Sequence, residues 1–402
     1  MTPRLRSGQD GREQVVLVAL LLVALLARVH LANTREYIHD EANTAIPLSK
    51  TISFDPDRLN LPLRGENHGA MPAYFVKASS SLFGTSPIGY RGVHVLAGLA
   101  TILLIYRLAR EWYGWVAASW AAALLAFNEY YLTISSRATA HVPHLFFATL
   151  AIYAFSRFLA TERARFLYGA GFAVGLAFYC KEHSALLLPV FFAVLLLSRH
   201  RHWLRTRHPY LACLVVALLV APDVLWNARV DPATARVTYS DQPVAQATYS
   251  AHLQRIGGLG LSPYPAMFYL HDPVMAVYKG LTGSEPRDET PEYQSMNPGI
   301  GIVLLAMVLL STVRRQESDG LRLFLLCVAL GVFAFFTFIK KGNPPNRLDA
   351  VSWIWVEITV LPAVMLAGAR LAALSGRLRT AWWGVATAAI GYAIFSVIWL
   401  GR

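Results

Sequence analysis

Two adjacent carboxylates at the edge of an apolar run are costly unless they are wet, paired or used, because like charges repel and a membrane boundary solvates them poorly. Asp40 and Glu41 occupy that position, in Tyr37-Ile38-His39-Asp40-Glu41-Ala42, just past the run Val15 to Leu31. Three chemistries suit such a pair. It could be a general base toward a hydroxyl or amine, it could ligate a divalent cation, or it could cap the first turn of a following helix, which is worth up to about 1 kcal/mol. Asp40 and Glu41 are therefore the candidate catalytic residues. His68, two residues after Glu66, could add metal ligands beside them, although two ligands at that spacing do not by themselves make a site. No cofactor motif is present, and a divalent metal ion is the one cofactor alternative left open.

The second kind of chemistry is cationic. Arg137 with His141, Lys181 in Lys181-Glu182-His183, and Lys340 with Arg347 in Lys340-Lys341-Gly342-Asn343-Pro344-Pro345-Asn346-Arg347 stand in short turns between apolar runs. Cations at an interface are ordinarily side chains snorkelling to water. These three turns, however, fall on the side where few cations are expected, and fixed positive charge there suits an anionic headgroup or a departing phosphate. Arg347 is the leading phosphate candidate, since guanidinium binds phosphate bidentately.

The elements that must position these groups are membrane helices. Of 402 residues 55% are hydrophobic and 15% charged. The apolar residues fall in runs of about 16 to 23, the length of a bilayer-spanning helix. Spans are expected near 15–33, 89–108, 113–132, 143–160, 166–180, 184–198, 209–228, 298–313, 321–339, 350–372 and 381–400, about eleven helices in one all-α, polytopic membrane domain covering 1–402. The first run is long and lacks a small-x-small cleavage site, so it reads as a retained helix rather than a leader.

Orientation follows from the basic residues. With the N-terminus inside, the cytoplasmic pieces 1–14, 107–112, 157–165, 199–208, 314–322 and 370–380 hold half of the chain's 36 Lys and Arg residues, as the positive-inside rule requires. The long segments 34–88 and 229–297 then lie outside the cytoplasmic membrane. The first carries the acidic motif; the second, rich in Pro, Gly and Tyr, reads as short interfacial helices and loops. The net charge of +12 is thus topological, and a nucleic-acid partner is excluded as its explanation. Cys180, Cys213 and Cys327, odd in number and without framework spacing, read as packing residues.

The order of these features resembles the GT-C glycosyltransferases of the protein O-mannosyltransferase and aminoarabinose transferase type. A basic N-terminus, one span, Arg28 near its end and then an Asp-Glu pair open the likeness. Asn67-His68-Gly69-Ala70-Met71-Pro72-Ala73-Tyr74 is similar to that family's His/Lys-Pro-Pro-Leu-Tyr-Tyr region. Gly171 to Glu182 is similar to its Gly-Leu-Ala segment ending in Lys, and Asn346-Arg347-Leu348 with Leu361-Pro362 to its Arg-Tyr-Leu…Pro stretch. Two departures stand out: many relatives carry a second acidic residue at the outer start of the fourth span, where this chain reads Arg137 to His144, and the double proline is reduced to Pro72.

The resemblance implies an inverting transferase that takes a sugar from a polyprenyl-phosphate donor to a lipid, glycan or protein acceptor on the extracytoplasmic side. The family's catalytic Asp falls on Asp40, with Glu41 beside it. The phosphate would be held by Arg347, with Lys181, Lys340 and Arg137 as secondary candidates, and segment 229–297 would recognise the acceptor. Two other classes share parts of this pattern. A transporter or flippase of an isoprenoid-linked sugar should place charges at the bilayer midplane and show inverted repeats, and neither is seen. A polymerase or ligase of lipid-linked glycans would use the same carboxylate and arginine logic.

Overall fold

The computed structural model describes residues 7–38, 40–65, 69–229, 236–239, 242–245, 256–259, 304–310, 319–341 and 357–375. Within these the apolar runs become helices: α1 (Ser7–Thr34), α4 (Pro87–Ala126), α6 (His141–Thr161), α7 (Ala164–Phe178), α8 (Leu187–Leu197), α9 (His208–Arg229), α10 (Asp319–Phe338) and α11 (Val360–Ser375). Three shorter helices, α2 (Ile46–Thr51), α3 (Met71–Phe83) and α5 (Glu129–Ile134), lie between them. Among the described residues four helices are long and apolar enough to cross a membrane, or five if Glu182–Leu197 and Arg199–Arg205, bent by 115°, form one span. The expected total of eleven is not reached among the described residues, and the run 381–400 lies outside them.

Several boundaries move for identifiable reasons. The expected spans 89–108 and 113–132 are the two limbs of α4, broken at Gly114 rather than across 107–112, because glycine alone accepts φ +84° there without strain. The second limb ends at Ala126, where Asn128 accepts a hydrogen bond from the Tyr131 N–H and starts α5. At its other end α4 starts on Ser86, whose hydroxyl accepts from the Gly89 N–H, with Pro87 in the first turn. The expected span 350–372 is described only from one turn at 357–359 into α11. Residues 304–310 are the described part of 298–313.

Segment 34–88 is a folded platform. A single π-helical turn, Asp40–Ala45, runs into α2, and Leu48 and Ile52 pack on Ala70 and Ala73 at the start of α3. Segment 229–297, expected as short helices and loops, contributes strands among its described residues. β1 (Arg236–Tyr239) pairs antiparallel with β2 (Gln242–Ala245), and β3 (Ile256–Leu259) pairs with β4 (Ile339–Lys341), which follows α10. Among the described residues the fold is therefore helical with two short ribbons.

The bundle closes on small residues and aromatic rings. A side chain at Gly368 of α11 would meet the Ala117 carbonyl of α4 at 2.6 Å, and one at Gly171 of α7 would meet the Ala212 carbonyl of α9 at 2.6 Å, so these backbones touch. Phe155 stacks on Phe191 with centroids 4.2 Å apart, and Phe324 closes the cluster at 5.0 Å from Phe155. Cys180, Cys213 and Cys327 are all free thiols.

Polar contacts gather at the two ends. At one, Glu13 holds Tyr106 and Arg110, Arg157 pairs with Glu111, and Trp112 donates to Ser156. Arg28 lies fifteen residues further along α1, about 22 Å away at 1.5 Å per residue, and belongs to the opposite end, where α1 and α7 finish and α4 and α6 begin. Replacing Gly368 by Val should drive α11 off α4 and cost about 1–3 kcal/mol, read as a lower melting temperature in detergent. Gly331→Ala, whose added carbon meets only Val190 Cγ2 at 3.5 Å, should be nearly neutral.

Candidate active site

At that second end the acidic pair divides into two environments. Glu41 is fully buried; its carboxylate receives Arg91 through Nε at 2.7 Å and Nη2 at 2.8 Å, and also accepts the Ala138 N–H at 2.7 Å and the Ile38 N–H at 3.3 Å. Arg137 Nη1 stands 3.9 Å away. Arg91 spends its remaining donors on the carbonyls of Ala32, Arg35 and Glu36 at the end of α1, at 2.7, 2.9 and 3.0 Å, and lies over the Tyr37 ring at 4.6 Å. All five guanidinium N–H groups are thus used. A carboxylate so engaged has little lone-pair capacity left for an acceptor's proton, so its geometry is that of a positioning residue.

Asp40 faces the other way. It is half-buried and lines a small open cleft with Thr44, Gly65, Gly69, Thr139 and Ala140. The cleft wall is a tight docking of residues 64–71 on the turn after α7. Arg64 and Gly69 pair antiparallel, the Met71 N–H donates to the Tyr179 carbonyl at 3.4 Å, and a side chain at Gly69 would strike that carbonyl at 2.1 Å. Buried Arg64 locks the contact by donating to Glu182 at 2.5 Å and to Asp223 of α9 at 2.9 Å.

This docking carries Lys181 to the same end of the bundle as Asp40. Lys181 is buried, with Nζ 3.2 Å from Glu357 Oε1 and 2.8 Å from His141 Nδ1. Burial pulls its ammonium below the ordinary lysine range, opposed first by Glu357 and then by Asp40. Glu357 also accepts from the Tyr130 hydroxyl at 2.6 Å and lies 2.7 Å from His141 Nδ1 and 2.5 Å from His144 Nδ1. His141 Nδ1 can donate to Glu357 or accept from Lys181, not both. On the neighbouring face Arg28 is buried and donates to Ser135 Oγ at 2.7 Å and to the Ala24 and Ala126 carbonyls at 3.0 Å.

Of the residues singled out from the sequence, Asp40, Glu41, Arg137 and Lys181 gather here. Lys340 lies in β4, and Arg347, Glu66 and His68 lie outside the described residues. Arg64, Arg91, Asp223 and Glu357 were not singled out. Arg91, Asp223 and Glu357 are each a lone ionisable group in an apolar run, which is the signal that marks them, whereas Arg64 stands among the charges of the 34–88 segment and carries no such signal. Arg91→Met should leave the Glu41 carboxylate buried without its cation and cost about 3–5 kcal/mol. An unchanged melting temperature in that variant would contradict the pairing.

Comparison with known proteins gives a consistent likeness. Residues 67–226 match the family model of dolichyl-phosphate-mannose-protein mannosyltransferases. The lipid A galacturonosyltransferase RgtD of Rhizobium johnstonii is 26% identical over 300 residues, covering 70% of this chain and 59% of its own. Among solved structures, ArnT from Cupriavidus metallidurans bound to undecaprenyl phosphate superimposes with a TM-score of 0.59 at 18% identity, over 93% of this chain and 62% of that one. The Archaeoglobus fulgidus oligosaccharyltransferase, in complex with Zn and sulfate, does so with a TM-score of 0.58 at 18% identity, over 96% and 53%. The chain spans less than two thirds of the length of these proteins. The chain carries the GT-C membrane fold, and within it a segment, residues 67–226, similar to the dolichyl-phosphate-mannose-protein mannosyltransferases.

Proposed function

We propose that the chain is an inverting glycosyltransferase that moves a sugar from a polyprenyl phosphate to an acceptor on the extracytoplasmic side of the membrane. The observation that carries this reading is the division of labour in the acidic pair, with Asp40 on a cleft wall and Glu41 held by Arg91. An acceptor O–H or N–H entering the cleft would lose its proton to Asp40 as its lone pair attacks the anomeric carbon. The bond from that carbon to the phosphate oxygen breaks in the same displacement, and its electron pair leaves with the polyprenyl phosphate. The leaving group is a stable anion, so it needs fixed positive charge rather than an acid.

Lys181 and Arg137, at the same end of the bundle as Asp40, would supply that charge, with Arg347 and Lys340 as further candidates. A desolvated ammonium interacts more strongly with phosphate than an exposed one, because the local dielectric is low. The proposal leaves Glu41 out of the proton transfer and gives it the task of fixing the turn that aims Asp40. ArnT, bound to undecaprenyl phosphate, and RgtD, named a lipid A galacturonosyltransferase, support the donor class and an envelope acceptor by analogy.

Two experiments test the reading. In proteoliposomes loaded with a labelled polyprenyl-phosphate sugar, Asp40→Asn should lower transfer by about 10²–10⁴-fold with donor affinity retained. Lys181→Met should instead weaken donor binding by about 10- to 100-fold. Retained turnover in Asp40→Asn removes the base assignment. For sidedness, Phe54 on the 34–88 platform is 64% exposed, and Phe54→Cys should react with a membrane-impermeant maleimide on intact cells. Labelling only after lysis would place the cleft on the cytoplasmic face.

A further inference from the structure

The end of the bundle away from Asp40, where α7 and α9 start and α8 finishes, carries an open apolar cleft. Its walls include Leu167 and Ala170 of α7, Leu188 and Leu195 of α8, and Pro209 and Ala212 of α9, and no charged side chain lines it among the described residues. The α7 and α9 walls come from the first two turns of each helix, within about 10 Å of the helix starts. That is the margin of the hydrocarbon layer, where acyl chains leave their headgroups. Leu196 and Leu197, next along α8, are 62% and 64% exposed, so this side of the bundle meets lipid rather than another described helix.

The loop that joins the α8 wall to the α9 wall is strongly basic. Residues 199–208 hold four arginines, three histidines and no carboxylate. The chain bends by 115° after α8, so Arg199–Arg205 runs across the membrane surface instead of on through it. Its 3₁₀ winding, with three residues per turn, puts His200 and Trp203 on one side and Arg199, His202 and Arg205 on another. His200 and Trp203 pack inward on Phe158, with ring centroids at 6.2 and 5.0 Å. Arg199, His202 and Arg205 are exposed. The Tyr210 hydroxyl donates to the Leu204 carbonyl at 2.9 Å, and the Tyr168 hydroxyl of α7 lies 2.6 Å from His208 Nδ1, so the loop is held at the mouth of the cleft.

Retention of cations on one side of the membrane accounts for positive charge in this loop, but not for its lack of partners. At the same end Arg110 pairs with Glu13, and Arg157 with Glu111. Arg199, Arg201, Arg205 and Arg207 are all exposed, and none of them makes an ion pair among the described residues. Glu162 stands instead against His200, 3.3 Å from Nδ1. We propose that this end of the protein binds an anionic membrane phospholipid of the phosphatidylglycerol class, with an acyl chain in the cleft and its phosphate on the arginines of 199–207. Guanidinium holds phosphate bidentately, and a basic collar beside a gap between membrane helices is suited to such headgroups. The inference rests on these residues alone and does not depend on the transferase reading, since the site lies at the opposite end from Asp40. The lipid would fasten α7, α8 and α9 to one another in that leaflet.

The test is photo-crosslinking of the full chain in phosphatidylcholine vesicles doped with phosphatidylglycerol that carries a diazirine on one acyl chain. The probe should label peptides covering 188–195 and 209–213, and a phosphatidylcholine probe with the same chain should label them at least about fivefold less. Arg201→Gln and Arg205→Gln, at exposed positions and checked for folding by melting temperature, should each lower phosphatidylglycerol labelling by about fivefold. Unlabelled phosphatidylglycerol should compete better than a polyprenyl phosphate. Absent labelling of these peptides, equal labelling by the two probes, labelling unchanged in both variants, or stronger competition by the polyprenyl phosphate overturns the proposal.

Discussion

The ion pair between Arg91 and Glu41 is the contact on which the rest of this end of the molecule depends. Taking a guanidinium and a carboxylate out of water is expensive, and the cost is offset only when every donor and lone pair finds a partner. Here each of the five Arg91 N–H groups does so, three of them on carbonyls left open where α1 ends. Glu41 adds the Ala138 N–H, 97 residues away. One interaction therefore fixes four pieces of backbone: the end of α1, the π-helical turn, the start of α4 and the segment between α5 and α6. Asp40, the next residue on that turn, inherits a fixed position without being consumed by it.

A second set of constraints brings the cations to the same place. Arg64 draws residues 64–71 onto the turn that carries Lys181 and onto α9, and the close approach at Gly69 leaves that docking little slack. Glu357 draws the segment before α11 against Tyr130, His141, His144 and Lys181. The stretch from Arg137 to His144 lacks the carboxylate that its resemblance leads one to expect, and the residues around it receive one from Glu357, far along the chain. Among the described residues the ion pairs gather at the ends of the bundle, with the Phe155, Phe191 and Phe324 cluster among the apolar residues between.

The sequence was most legible where a physical rule acts locally. Apolar run length located α6, α7 and α9 to within two residues, and the end though not the start of α1, and the crowding of two carboxylates beside a span drew attention to Asp40 and Glu41. It could not say which of the two was committed to structure, because that depends on Arg91, 50 residues away. The partners of Arg64 and His144 lie 159 and 213 residues away, at Asp223 and Glu357. A lone charge in an apolar run announces that a partner exists, and only the packing of helices identifies it. Strand β3 escaped because it pairs with residues 339–341, and no local pattern encodes so distant a partner; β1 and β2 form a local hairpin that the reading of this segment as short helices and loops passed over. The break in α4 moved to Gly114 because backbone conformation, not the nearby charges, decides where a helix turns.

The most direct test of the account is a structure of the protein with a polyprenyl-phosphate sugar donor and its acceptor. The account predicts the phosphate against Lys181, the acceptor's nucleophilic atom at about 2.6–3.2 Å from the Asp40 carboxylate, and Glu41 still bonded to Arg91. An acceptor seated on Glu41, with Arg91 released and Asp40 turned to solvent, would contradict it.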